Sequence, residues 1–204
     1  MQKAKLPLNL ILLGDPGAGK ATQGAILAKK YNMFDYDMGR ELTILRDKNK
    51  EVNLAQERTA DKGILTPTKI VRELNKIKIL SLPNSKGILF DGHPKMLGEA
   101  KLIAGLLKKQ KRSKPLVIYL SIPESEVVKR ISKRKGYNET KYNKRADDSL
   151  QALKNRARYY KKNIKEVIQF FQSQYDYKKI DGLGTRSEVS KRIAKVVQEY
   201  INKQ

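Results

Sequence analysis

The chain has 204 residues, with 44 lysines and arginines against 21 aspartates and glutamates, and neither cysteine nor tryptophan. Its length suits one α/β domain with a modest insertion, and a composition 32% charged and 39% apolar excludes a disordered chain. Without cysteine there is no disulfide framework, no thiolate nucleophile and no cysteine-ligated zinc; a formal net charge of +23 attracts polyanions or phosphorylated small molecules.

Lys3 and Lys5 precede an apolar run, Leu6 to Leu13, much as in a secretory leader. No small-residue cleavage site follows, and the run is too short to cross a bilayer. It passes directly into a glycine-rich segment, so a buried parallel strand is expected over Leu8 to Leu13. A helix is expected from Lys20 to Lys30, then a weaker strand from Met33 to Tyr36. Pro67 after Thr66 has the position of a first-turn helical proline. Gly87 to Asp91, Leu116 to Ile122 and Tyr177 to Asp181 are further strands. The stripe Leu97, Ala100, Ile103, Leu106 and Leu107 is one buried helix face, and Val189, Ile193, Val196, Val197 and Tyr200 form another. Thr185 and Glu188 stand at capping-box spacing before the last helix. Strands alternating with helices predict βαβ units and a parallel sheet in a single domain.

Gly14-Asp15-Pro16-Gly17-Ala18-Gly19-Lys20-Ala21-Thr22 lies between the first strand and the first helix. Its glycines allow successive backbone N–H groups to turn inward on phosphate oxygens, and the helix that opens there adds its own unpaired amides and dipole. Lys20 is placed to reach β- and γ-phosphates, and Thr22 to hold Mg²⁺ directly or through water. The general phosphate-loop pattern has Ser or Thr straight after the lysine, whereas Ala21 intervenes here.

Gly-x-Pro-Gly-x-Gly-Lys-x-Thr-Gln over Gly14 to Gln23 resembles the loop of the adenylate kinase and nucleoside monophosphate kinase family. Four more segments resemble the family in the same order: Asp91-Gly92-His93-Pro94-Lys95, Arg130-Ile131-Ser132-Lys133-Arg134, Arg145-Ala146-Asp147-Asp148 with Arg156 after it, and Ile180-Asp181-Gly182. The resemblance implies a phosphate-loop α/β fold of about five parallel strands. It implies a core over residues 1–36, 67–134 and 146–204, a small helical monophosphate-binding insertion over 37–66, and a short lid over 135–145. It also implies a cytoplasmic, monomeric enzyme that turns ATP and AMP into two ADP by direct in-line transfer, with Mg²⁺ and without zinc.

The residue roles that the resemblance implies fall into three sets. Asp15, Pro16, Gly17, Ala18, Gly19, Lys20, Ala21 and Thr22 would hold ATP with Arg130, Arg134 and Gly182. Gly39, Arg40, Arg46, Leu65, Gly92, Lys95, Glu99, Arg145 and Arg156 would hold the monophosphate. Lys20, Arg130, Arg134, Arg145 and Arg156 would neutralise the transferring group, a task that suits the planar, always-charged guanidinium fork. Thr22 and Asp91 would hold Mg²⁺ through water, and Asp147 and Asp148 would organise the arginines beside the lid or form structural salt bridges. His93, the one histidine, falls where the family has an aromatic, so a packing role is expected.

The acceptor side departs from the family pattern. Asp37-Met38-Gly39-Arg40 replaces the usual Ser/Thr-Gly-Asp segment, and Thr43 stands where an arginine is expected, with Arg40 and Arg46 about one helical turn to either side. Lys95 replaces another arginine. Glu99 occupies the place of a base-reading glutamine, and a carboxylate accepts hydrogen bonds without donating. GMP, CMP or UMP therefore remain alternative acceptors. A nucleic-acid-binding protein is the second alternative: five of the seven residues Lys108 to Lys114 and six of the twelve Lys154 to Lys165 are basic, with no acid in either stretch. The expected partners are nucleotides, with weak non-specific nucleic-acid association through this surface and no membrane.

Overall fold

The structure, a computed structural model, describes residues 7–59, 62, 64, 66–132 and 150–204; for 131, 132, 150–154 and 156 only the backbone is described. Among the described residues, five strands form one parallel sheet: β1 (Leu10–Gly14), β2 (Met33–Asp37), β3 (Gly87–Asp91), β4 (Leu116–Ser121) and β5 (Tyr177–Asp181), in the order β2-β3-β1-β4-β5. Eight helices accompany them: α1 (Lys20–Lys30), α2 (Met38–Arg46), α3 (Lys50–Arg58), α4 (Thr68–Ser81), α5 (Leu97–Lys109), α6 (Glu124–Ser132), α7 (Leu150–Gln174) and α8 (Arg186–Asn202). No helix among the described residues is long and apolar enough to cross a membrane.

Alternation along the strands sorts the core into two layers. Ile11, Leu13, Ile88, Phe90, Val117 and Tyr119 pack with side chains of α4, α5 and α7. Leu10, Leu12, Leu89, Leu116, Ile118 and Leu120 face the other way, against α1 and α8. Central β1 is buried at every residue and ladders with β3 on one side and β4 on the other. β5 is an edge strand with exposed Lys178 and Lys179, charges that discourage pairing with another chain.

Several boundaries shift from those read in the sequence. β1 begins at Leu10 because the Asn9 side chain is used across strands: its Oδ1 accepts from the Ile88 N–H at 3.0 Å and its Nδ2 donates to the Ser113 carbonyl at 3.0 Å. β4 ends at Ser121, one residue before Ile122, and α4 begins at Thr68 because Pro67 is extended (ψ 130°) and serves as its N-cap. The capping box of Thr185 and Glu188 is formed as expected. Between β2 and α4 lie α2 and α3. Asn49 caps α3 by accepting from the N–H groups of Glu51 and Val52, and the buried Gln56 amide donates to the Leu42 carbonyl, binding the two helices together.

Candidate active site

The C-terminal ends of β1, β3, β4 and β5 converge, as strand ends do at the switch point of an open parallel sheet. After β1 the loop reverses through Gly17 (φ 80°) and Gly19 (φ 90°), conformations that suit glycine. Gly19 is the N-cap of α1 and supplies no side-chain cap to the first amides of the helix. The Lys20 ammonium folds back to donate to the carbonyls of Gly14 (2.7 Å) and Asp15 (2.9 Å). Arg130 on α6 reaches the same place: its Nη1 donates to the carbonyls of Gly17 (3.3 Å) and Gly182 (3.4 Å), while Nε pairs with Glu126 (3.0 Å). A Cβ at Gly182 would come within 3.6 Å of the Ala18 carbonyl. The loop, Arg130 and the turn after β5, three pieces far apart in sequence, therefore share one edge.

Asp91 closes β3 beside this loop. It is buried, and burial together with Asp37 and Asp35 raises its carboxyl to about 7, against the opposing pull of Lys20 and Lys95. Gly24 makes room for it, since a Cβ there would sit 3.2 Å from Asp91 Oδ2. Next to it His93 is a packing residue. Its ring lies edge-on to Tyr36 (4.7 Å between centroids) and Phe90 (5.4 Å), it is 1% exposed, and burial lowers its pKa to about 4, leaving it neutral.

On the acceptor side, Glu99 is 4% exposed and its Oε2 accepts from the Lys95 backbone N–H at 3.0 Å, closing the turn that leads into α5. Glu99 is thus a buried group and not part of a solvated helix face. Asp37 caps α2 by accepting from the N–H groups of Gly39 (2.8 Å) and Arg40 (3.3 Å). Arg40 and Arg46 hold different partners. Arg40 Nη1 pairs with Asp35 (3.2 Å), and its Nη2 donates to the Asp35 carbonyl. Arg46 Nε donates to Asn53 Oδ1 (2.7 Å) and Nη2 lies 4.0 Å from Glu57. Thr43 spends its hydroxyl on the Gly39 carbonyl at 2.9 Å. Leu65, Arg134, Arg145 and the 135–145 lid lie outside the described residues, as do Asp147 and Asp148; Arg156 is placed by its backbone alone, on α7.

The family model for adenylate kinase matches residues 12–176. The chain belongs to the adenylate kinase family. Relatives named adenylate kinase agree across nearly the full length. One from Azobacteroides pseudotrichonymphae is 29% identical over 191 residues, 93% of this chain and 97% of the relative. One from Leptospira biflexa is 29% identical over 188 residues, covering 92% and 98%, and one from Methanosarcina barkeri is 28% identical over 214, covering 95% and 100%. Of the five segments that resemble adenylate kinases, the last, Ile180-Asp181-Gly182, lies beyond the matched residues, yet Arg130 binds it to the loop.

Two groups close to the adenylate kinase loop escape a reading of the sequence. Tyr119 and Tyr160 bring buried hydroxyls beneath it: Tyr119 donates to Asp15 Oδ1 at 2.6 Å, and Tyr160 accepts from the Gly14 N–H at 3.4 Å. A tyrosine inside an otherwise aliphatic strand is the faint signal available for the first. The second sits on the apolar stripe of a long helix, where nothing distinguishes it from core.

Proposed function

We propose that this chain is a working adenylate kinase, transferring the γ-phosphoryl group of ATP to AMP. What carries the reading is the meeting of Lys20, Arg130 and the turn at Gly182 around an uncapped helix start, next to the buried carboxylate of Asp91. Amides of Gly17 to Lys20 and the α1 dipole hold the β- and γ-phosphates. Lys20 exchanges its two carbonyl acceptors for phosphate oxygens. Arg130, Arg134, Arg145 and Arg156 neutralise charge on the migrating group, and residues 135–145 would serve as the lid that excludes water.

Asp91 suits Mg²⁺, because a buried carboxylate with acidic neighbours is relieved by a hydrated cation. Thr22 and Asp91 would hold it through water. When bound, Mg²⁺ neutralises charge on the β- and γ-oxygens. An oxygen of the AMP phosphate attacks the γ-phosphorus as the bond to the β-bridging oxygen breaks, giving two ADP. The acceptor is already ionised, so no general base is required and a neutral His93 is no obstacle. Gly39, Arg40, Arg46, Leu65, Gly92, Lys95 and Glu99 form the acceptor pocket of this proposal. The enzyme is further proposed to be a cytoplasmic monomer.

The test supplies ATP and Mg²⁺ with AMP, GMP, CMP or UMP in turn. AMP is expected to yield diphosphate fastest. Diphosphate no faster than an enzyme-free blank with every acceptor overturns the proposal. Because Glu99 is buried against the Lys95 amide, a preference for GMP or CMP is the second reading, and faster turnover with either would establish it.

A further inference from the structure

Beneath the phosphate loop lies a group of hydrogen bonds that phosphate binding does not itself require. The Gly14 N–H donates to Tyr160 Oη (3.4 Å), the hydroxyls of Tyr160 and Tyr119 act on each other electrostatically, and Tyr119 donates to Asp15 Oδ1 (2.6 Å). Asp15 Oδ2 accepts from the Ile122 N–H (2.9 Å), and the Asp15 N–H donates to the Leu120 carbonyl (2.9 Å). Lys20 Nζ stands 5.9 Å over the Tyr160 ring, so one tyrosine touches both the first residue of the loop and its cation. Both tyrosines are 6% exposed, and burial keeps their phenols protonated and able to donate. Three elements meet here: β1 through Gly14, β4 through Tyr119 and Leu120 with Ile122 just past its end, and α7 through Tyr160, one turn after Arg156.

We propose that Tyr119 and Tyr160 are positioning residues for ATP, holding the phosphate loop open to a triphosphate by fixing Asp15 and Gly14 from below. Geometry explains the choice of side chains. Asp15 carries a carboxylate into a loop that must receive anions, and it is tolerable there because each oxygen is already taken, one by Ile122 and one by Tyr119. With the Tyr119 hydroxyl gone, one oxygen loses its buried partner. The carboxylate is then tied to β4's end by Ile122 alone, and the corner from which the phosphate loop departs is held less firmly.

The inference rests on the loop being an ATP site, and the experiment separates the two. Dissociation constants for MgATP and for AMP are measured calorimetrically on the wild-type chain, Tyr119→Phe, Tyr160→Phe, the double variant, Asp15→Ala and Asp15→Asn, alongside each melting temperature. The Phe variants are expected to weaken MgATP about five- to tenfold and to leave AMP within about twofold. The double variant should lose little more than Tyr119→Phe alone, because the two hydroxyls act on each other and hold the same corner. Asp15→Ala and Asp15→Asn remove the same charge. Asn can accept from Ile122 and donate to Tyr119, so it should bind MgATP several-fold tighter than Ala does. Wild-type chain that binds no MgATP defeats the functional proposal instead. Wild-type binding with Phe variants that bind MgATP equally well, or that weaken MgATP and AMP together, overturns this inference alone.

Discussion

Lys20 donates to two carbonyls of its own loop, a holding position that the phosphates of ATP would replace with charged acceptors. Lys20→Met keeps the length of the side chain and removes the charge. It is expected to lower kcat/KM for ATP by roughly 100- to 1,000-fold, the usual loss for one preorganised cation or donor; steady-state rates at several ATP concentrations check this, and undiminished velocity would contradict the role. Glu99 makes a different prediction, about pH. Burial holds its carboxyl above the ordinary carboxylate range, against the Lys95 amide that favours the ionised form. The folded chain therefore binds this proton more tightly than the unfolded chain does. The resulting stability is present at low pH and is lost as pH rises through the raised value. Glu99→Gln, which keeps an oxygen for the Lys95 N–H, should raise Tm near about pH 8 and change it little near about pH 4. An equal gain at both would show that the carboxyl's ionisation is not the cause. Lys20 and the loop could be read from the chain because glycine and lysine at fixed spacing have one dominant use. The state of Glu99 could not, since a carboxylate on a helix face looks the same in sequence whether solvent or a backbone amide meets it.

Helices and strands were legible where their pattern was regular, and β2 extended one residue beyond its expected end because Asp37 both finishes the strand and caps α2. α2 and α3 carry few of the apolar repeats that announce a helix; caps at Asp37 and Asn49 and the Gln56 bridge define them instead. The stretch from Lys108 to Lys114 also proves to be more than a charged face. Arg112 is 8% exposed and turns inward, donating to the carbonyls of Lys86 (2.8 Å), Leu82 (2.6 Å) and Pro83 (3.0 Å), with Nε on Gln110 (2.8 Å). It fastens the segment between α4 and β3 to the end of α5. Arg112→Ala strands those carbonyls and is expected to cost about 2–3 kcal/mol in urea unfolding. Loss of less than about 0.5 kcal/mol, the range of an ordinary surface change, would show that the guanidinium is dispensable.

For the whole molecule, the excess of basic residues sets long-range behaviour rather than fold. With Arg112 committed to the interior, the outward cations of that stretch are Lys108, Lys109, Lys111 and Lys114. Sequence-blind association with labelled RNA is expected at low salt and should weaken steeply as salt rises, because counterion release would drive it. Binding that persists at high salt, or discriminates between sequences, would indicate a built nucleic-acid site instead. Fold class was evident from the alternation of strands and helices, while the order of strands was fixed only by contacts between segments distant in the chain. That order has a consequence for durability. The nucleotide seat hangs from the one strand that is hydrogen-bonded along both flanks and hidden from water at every residue. Deuterium should reach the amides of Ile11 and Leu12 after those of any edge, so fluctuations that fray the periphery leave the anchorage of the loop standing until the entire molecule gives way.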